Sequence, residues 1–395
     1  MQFGFVPGRG TTDAIFITRQ LQKKFIAAGK PLYFAFVDLE KAFDRVPREV
    51  LWWALRSVGV EEWAVRVIQG MYSNARSRVR VNGKLSEEFT VGVGVHQGSV
   101  LSPLLFILVI EALSREFRGT LPWELVYADD LVVIADSLDE CVAKLQAWKT
   151  GMEAKGLRVN MAKTKFMVSG TNLNVLKKSG QFPCAVCLSG VGANSIQCTR
   201  CSKWVHKKCS GLTGNLRADP TYVCPRCEGR ARPLDGRPVK EVLVDGSKLE
   251  VVASFCYLGD MLDAGGGCDA AIAARCCVAW GKFRKLLPVL TTRHLSLKIR
   301  GKIYHACVRS AMLHGCETWG PNAPDLQRLR RNDRAMIRWI CGIKERDEVS
   351  SDELLQRLDI NDVLAVLRNR RLQWFGHVER ATADFPVYRL YQPTR

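Results

Sequence analysis

The chain has 395 residues, room for two or three domains, and its apolar share of 47% is ordinary for a globular protein. The formal charge of +19 at pH 7 suits a polyanionic partner. Met1-Gln2-Phe3-Gly4 lacks the stretches of a secretory signal, and the longest apolar run, Leu104 to Ile110, is too short to span a bilayer, so an intracellular protein of nucleus or cytoplasm, with no membrane partner, is expected.

The first strand signal is the apolar run Leu32-Tyr33-Phe34-Ala35-Phe36-Val37, which ends at Asp38. Further on, Leu125-Val126 and Leu131-Val132-Val133-Ile134-Ala135 bracket Tyr127-Ala128-Asp129-Asp130. This reads as two short strands with the acids at the turn between them. An isolated Asp pair would read as a polar hairpin turn. Acids brought together from two strands instead make a site for hard divalent cations. Two such ions about 3.5–4 Å apart serve phosphoryl or nucleotidyl transfer by stabilising both the attacking and the leaving oxygen.

Next in the chain come Cys184-x2-Cys187, Cys198-x2-Cys201, His206-x2-Cys209 and Cys224-x2-Cys227. These ligands suffice for two complete tetrahedral zinc sites. The metal supplies the folding energy that so small a module lacks. Gly170 to Pro183 and Glu228 to Pro238 read as linkers, so the module is expected to be an insertion at an exposed loop tip. After it, Val242-Leu243-Val244 and Leu249-Glu250-Val251-Val252 flank Asp245-Gly246, a hairpin signal. The cysteines outside the module, among them Cys276, Cys277 and Cys307, read as reduced core thiols. Between Lys282 and Arg346, fifteen Lys and Arg stand against Glu317, Asp325, Asp333 and Glu345. Arg328, Arg330, Arg331, Arg334 and Arg338 fall partly on one helical face, near Trp339, which points to contact with a nucleic-acid backbone.

Several blocks occur in a fixed order around the acids. Phe3-Gly4-Phe5 and Gly8-Arg9-Gly10-Thr11-Thr12-Asp13-Ala14-Ile15 open the chain, and Phe36-Val37-Asp38-Leu39-Glu40-Lys41-Ala42-Phe43-Asp44 follows. GVHQGSVLSPLLF (residues 94–106) precedes the paired acids, and GLRVNMAKTKF (residues 156–166) succeeds them. Together they resemble the palm of a reverse transcriptase, of the non-long-terminal-repeat or LINE-type retrotransposon branch. FCYLGDML (residues 255–262) resembles the primer grip. HGCETW (314–319) and RRLQWFGHVER (370–380) resemble the segment after the palm in LINE elements.

The resemblance implies roles. Asp38 and Asp129 hold two magnesium ions, with Asp130 an auxiliary acid. Phe43 is a steric gate that leaves no room for a 2′-hydroxyl and so favours deoxynucleoside triphosphates over ribonucleotides, which disfavours an RNA-dependent RNA polymerase. Gln97 and Gly98 contact template and incoming nucleotide, Gly98 by close backbone approach. Lys165, or Lys163, protonates the pyrophosphate leaving group. RNA template and DNA primer are the implied partners. The family's upstream basic residues that grip the triphosphate lie outside this sequence, so weak or absent activity is expected of these residues alone.

The cysteine module resembles a PHD finger, a match that Trp204 strengthens. The resemblance implies interleaved zinc sites: Cys184, Cys187, His206 and Cys209 for one, Cys198, Cys201, Cys224 and Cys227 for the other. A methyl-lysine cage needs several aromatic walls, and Leu188 to Gln197 has none. The module carries Arg200, Lys203, Lys207, Lys208, Arg217 and Arg226 against Asp219. A structural spacer or an aid to nucleic-acid binding therefore ranks ahead of a histone-tail reader.

The sequence is read as α+β: a polymerase palm, an antiparallel sheet with helices, and partial fingers over residues 1–170. Linkers and the inserted two-zinc finger occupy 171–238, the palm hairpin and primer grip 239–280, and a basic, helical, thumb-like region 281–395. The expected function is RNA-directed DNA polymerisation. The alternative is a catalytically inactive retroelement remnant that binds nucleic acid or chromatin through its finger.

Overall fold

The computed structural model describes residues 2–115, 117, 123–170, 184–186, 191, 194–212, 221–225, 227–228, 241–344, 346–382 and 385–391. The chain divides into two compact units, one of Met1–Ser169 with Val242–Arg395 and one of Gly170–Glu241.

The larger unit is built on a six-stranded sheet. Its strands are β1 (Leu32–Val37), β2 (Glu124–Tyr127), β3 (Asp130–Ala135), β4 (Lys165–Ser169), β5 (Glu241–Val244) and β6 (Ser247–Val251), in the order β5-β6-β4-β1-β3-β2. All six residues of β1 are buried, which is why the strand reads as an unbroken apolar run. It pairs antiparallel with β3, from Tyr33 opposite Ala135 to Val37 opposite Leu131, and with β4, from Leu32 opposite Ser169 to Phe36 opposite Lys165. β2 also pairs antiparallel with β3, whereas β6 runs parallel to β4. At the β5–β6 turn Asp245 and Gly246 both take positive φ (46° and 71°), the conformation a two-residue hairpin of this hand requires.

Period-two alternation sorts the sheet's side chains to two faces. On one face Phe34, Phe36, Val132, Ile134 and Met167 join a core with Ile15, Phe16 and Leu21 of α1 (Thr11–Ala27). Val378 and Val387, from near the C-terminus, complete that core. On the other face Val37 and Leu131 share a small cavity with Ile110 of α5 (Leu101–Ser114) and Trp148 and Met152 of α6 (Leu138–Glu153). Between β1 and α5 lie α2 (Ala42–Arg45), α3 (Arg48–Ser57) and α4 (Glu62–Tyr72). Ser137 caps α6 by accepting the Glu140 N–H at 3.3 Å.

A hairpin of β7 (Ser254–Tyr257) and β8 (Asp260–Asp263) leads into a helical region. This comprises α7 (Asp269–Leu290), α8 (Leu297–Ile303), α9 (Ala323–Cys341), α10 (Ser351–Leu358), α11 (Val363–Glu379) and α12 (Pro386–Tyr391). Its core gathers Phe283, Tyr304, Met312, Met336, Ile340 and Leu367. A Cβ on Gly301 would lie 2.0 Å from the Leu358 carbonyl, so only glycine lets α8 and α10 pack this closely. A bidentate ion pair is buried within the region: Arg309 Nε and Nη2 each lie 2.7 Å from an Asp333 carboxylate oxygen, and Tyr304 donates its hydroxyl to Asp333 at 2.8 Å.

The β7–β8 hairpin is fixed by one carboxylate. Asp260 is fully buried and accepts from Arg19 Nη2 at 2.9 Å and Trp319 Nε1 at 3.3 Å. His314 meets the Leu258 carbonyl at 3.2 Å, and a Cβ on Gly315 would press on the Asp260 carboxylate at 3.2 Å. The FCYLGDML and HGCETW blocks are thus halves of one packed junction.

Among the described residues no helix is long and apolar enough to cross a membrane. The expectation of core thiols needs correction: Cys141, Cys268, Cys276 and Cys316 are buried, but Cys256, Cys277 and Cys307 are exposed. Cys276 and Cys277 are neighbours on α7, and a helix turns about 100° per residue, so only one faces the core.

The smaller unit pairs two short strands, Ser195–Gln197 and Trp204–His206, antiparallel. Its core is Cys184, Ala185, Val191, Ile196, Cys198, Val205, Tyr222 and Cys224. Cys187, Arg217, Asp219 and Arg226 lie outside the described residues.

Candidate active site and metal centres

The register of β1 against β3 positions the acids. Val37 faces Leu131, so Asp38, one residue on, stands beside the turn that carries Asp129 and begins β3 at Asp130. Desolvation pushes the Asp130 carboxyl up to about 6, and the charges of Asp129 and Asp38 push it the same way. The three acids therefore face one another electrostatically. Asp129 and Asp130 also remain open to solvent.

The turn is held from below. Ala128 adopts φ 55° and donates its N–H to Gln2 Oε1 at 3.1 Å. The same oxygen accepts from Gly4 N–H at 2.8 Å, and Phe3 N–H donates to the Val126 carbonyl at 2.8 Å. A Cβ on Gly4 would come within 2.8 Å of the Ala128 nitrogen. The opening Phe3-Gly4-Phe5 block is thus a brace for the acid turn.

Asp38 is held from the other side by residues 157–165. Its carbonyl accepts the Asn160 N–H at 2.8 Å, and its own N–H donates to Thr164 Oγ1 at 3.4 Å. The Lys163 ammonium lies 3.8 Å from Asp38 Oδ2 and is largely exposed. Lys165 is engaged elsewhere, 2.7 Å from Glu250 and 3.0 Å from the Ala162 carbonyl. The structure therefore brings Lys163 to the acids and ties Lys165 to the neighbouring strand.

A cation fits this donor set. Asp38 Oδ2 is buried and accepts no hydrogen bond, with the exposed Lys163 ammonium 3.8 Å away, so it is free to serve as a metal ligand. The other donors are carboxylates, as hard cations require. The three side chains are not gathered within the 4.8 Å span of the finger's ligands.

The residues after Asp38 pack against residues 94–98. Val95 N–H donates to the Phe43 carbonyl at 2.8 Å, and Gly94 N–H to that of Val46 at 2.8 Å. A Cβ on Gly94 would meet the Asp44 carbonyl at 2.6 Å. Gln97 donates its amide to Asp44 at 2.7 Å. The Phe43 ring stacks on Phe106 of α5 with centroids 4.6 Å apart, and the residue is only half-buried. Gly98 takes φ 86° with open space beside it, so conformation, not room, calls for glycine there. The Asp44–Gln97 bond joins segments 53 residues apart. Only the polar character of both side chains hinted at it.

In the smaller unit two ligand sets are gathered: Cys198, Cys201, Cys224 and Cys227, and Cys184, His206 and Cys209. A tetrahedral zinc with Zn–S bonds of about 2.3 Å has sulfur–sulfur edges of about 3.8 Å. The Cys198–Cys227 and Cys201–Cys224 sulfur separations are both 3.9 Å, so the donor set fits that ion. Burial raises the Cys198 thiol, but backbone N–H groups of Cys224, Cys201 and Arg200 outweigh it and hold the thiol down to about 6.

Two family models match the sequence. The family model described as reverse transcriptase (RNA-dependent DNA polymerase) matches residues 1–202, just over half of the chain, and that of the PHD-finger matches 184–227. The chain is 30% identical over 177 residues to the transposon TX1 149 kDa protein of Xenopus laevis, covering 42% of this chain and 14% of that protein. It is 30% identical over 174 residues to the Pol polyprotein from the type-2 retrotransposable element R2DM of Drosophila melanogaster, covering 41% and 16%. The RNA-directed DNA polymerase from mobile element jockey of Drosophila funebris is 27% identical over 166 residues, covering 37% and 18%. The chain thus spans only a small part of these relatives' length. Among solved structures, apo telomerase from Candida tropicalis matches with a TM-score of 0.35 at 14% identity, covering 96% of this chain and 50% of that one. The transposon proteins named above are relatives from non-LTR retrotransposons, and the chain belongs to the reverse transcriptase (RNA-dependent DNA polymerase) family and carries a PHD finger.

Proposed function

We propose that the larger unit copies an RNA template into DNA from a primer 3′-hydroxyl, using deoxynucleoside triphosphates. The arrangement that supports this reading is the β1–β3 register, which sets Asp38 beside the turn of Asp129 and Asp130. Asp38 and Asp129 would hold two magnesium ions, with Asp130 beside them. Bound there, the ions supply charge stabilisation to the attacking and leaving oxygens.

The protein's own groups position the reactants. The half-buried Phe43 ring, braced by Phe106, supports a role as the wall beneath the sugar. Asp44 orients the Gln97 amide toward template and nucleotide. Lys163, beside Asp38, is better placed than Lys165 to deliver a proton to the pyrophosphate. The +19 charge and the basic helices support binding of template and primer. In the finger, two zinc ions would be structural, with Cys187 as the fourth ligand beside Cys184, His206 and Cys209. Its basic residues support a spacer or nucleic-acid role ahead of a histone-tail reader. The protein would act inside the cell, in nucleus or cytoplasm.

The test is extension of a DNA primer on RNA, with magnesium, by this chain and by a longer chain carrying an upstream fingers segment. DNA product from either supports the reading. Neither extending any primer, with both folded and bound to the template, would leave the finger-bearing binding protein as the better account.

A further inference from the structure

The helical region carries an open groove of about 920 Å³. Arg330, Arg331, Arg334, Arg338 and Lys344 line it together with Trp339, and none of its described lining residues is acidic. The arginines recur at helical spacing along α9, which puts them on one face. Arg330 is partly engaged by Asp362 at 3.5 Å. Among the described residues no hydrogen bond or ion pair reaches the side chains of Arg331 or Arg334, and both are exposed. Arg338 instead secures the end of the helix, donating to the Asp347 carbonyl at 2.9 Å. Gly342 ends α9 with φ 70°, and Ile343 N–H returns to the Arg338 carbonyl at 2.9 Å. This left-handed stop turns the chain back and sets Lys344 at the groove's end.

Trp339 is 52% exposed, unusual for so large an apolar ring. It is not loose. Phe283 and Trp280 lie against it at centroid distances of 5.8 and 6.5 Å, and Trp280 is pinned to α9 through Asn332 at 2.7 Å. An aromatic face held by neighbours, beside the exposed guanidinium groups of Arg331 and Arg334, has the parts needed to stack a base and hold the adjoining phosphates.

We propose that this groove binds single-stranded nucleic acid, with a base stacked on Trp339 and phosphates on Arg331 and Arg334. A duplex keeps its bases stacked on one another and offers only phosphates, so it cannot use the ring. The inference rests on the nucleic-acid reading of the basic region and deepens it by naming the form of the strand. It requires no catalysis.

The test measures binding of the full chain, without triphosphate, to a labelled mixed-sequence single strand, to the same strand with abasic sites, and to a duplex. Trp339→Leu should weaken the intact single strand roughly 5- to 100-fold and leave the duplex unchanged, while Trp339→Phe recovers most of the loss. The abasic strand should already bind weakly and lose little more in Trp339→Leu. Arg334→Ala should lower affinity for all three and reduce the salt slope by about 1. Thermal melting of each variant confirms folding. If a variant fails to fold, the abasic and intact strands compared on the unaltered chain decide the matter. Equal binding of those two strands, or an equal loss for duplex in Trp339→Leu, would overturn the stacking proposal alone. Failure to bind any nucleic acid, or tighter binding of an acidic peptide, would overturn it together with the nucleic-acid reading.

Discussion

The side-chain oxygen of Gln2 accepts the backbone N–H of Ala128 at 3.1 Å, beneath the turn that presents Asp129 and Asp130. Gln2 is buried, so removing its amide leaves the N–H groups of Ala128 and Gly4 without their acceptor. Gln2→Ala should cost about 1–3 kcal/mol of stability by denaturant titration. Unchanged stability would show that water replaces the brace freely.

Asp130 should report on the cation site. Its carboxyl is raised from 3.8 to about 6 in the fold. The ionised form is therefore disfavoured by folding: the stability it contributes is fully present below about pH 4 and is lost as pH rises through about 6. Asp130→Asn should flatten the stability profile between those values. Solvent access screens the effect, so the slope is modest. Added magnesium should pull the carboxyl back down and release protons, followed by carboxyl NMR. Titration in the ordinary carboxylate range with or without cation would mean that the acids do not share a field.

Sugar selectivity should follow Phe43. Its ring is stacked on Phe106, so Phe43→Ala removes that contact together with the proposed wall beneath the sugar. Ribonucleotide incorporation should rise at least tenfold relative to deoxynucleotide, a difference of about 1.4 kcal/mol in the competing transition states. Unchanged discrimination with reduced stability would reassign the ring to core packing.

In the finger, two zinc ions per chain are expected. Chelation should unfold residues 184–227 while the larger unit persists, because the latter's core is apolar and independent of metal. Metal analysis and circular dichroism before and after chelation test this. One zinc per chain, or collapse of both units together, would count against it.

Much of this was legible in the sequence for definite reasons. The acid turn showed because β1 is buried throughout and β3 is apolar after Asp130, which makes the interrupting carboxylates conspicuous. The β5–β6 hairpin showed because Asp245-Gly246 suits positive φ at both turn positions. Contacts set by tertiary pairing did not show. Nothing local says that Asp260 is buried, because its partners Arg19 and Trp319 come from distant segments. Lys163 and Lys165 are two residues apart, and only the Asn160–Lys163 turn and the β4–β6 pairing decide which one reaches Asp38. The interleaving of the zinc ligands followed from the resemblance to PHD fingers, since spacing alone permits sequential pairing too.

The most direct test of the account is primer extension on RNA with magnesium and deoxynucleotides, comparing the chain carrying an upstream fingers segment with its Asp129→Asn variant. On the proposed assignment Asp129→Asn would remove one charged metal ligand and leave the Gln2–Ala128 brace in place, so melting and template binding should be unchanged while extension falls at least a thousandfold, about 4 kcal/mol of transition-state stabilisation. Extension by Asp129→Asn within a few fold of the parent would contradict the assignment of these acids as the catalytic centre.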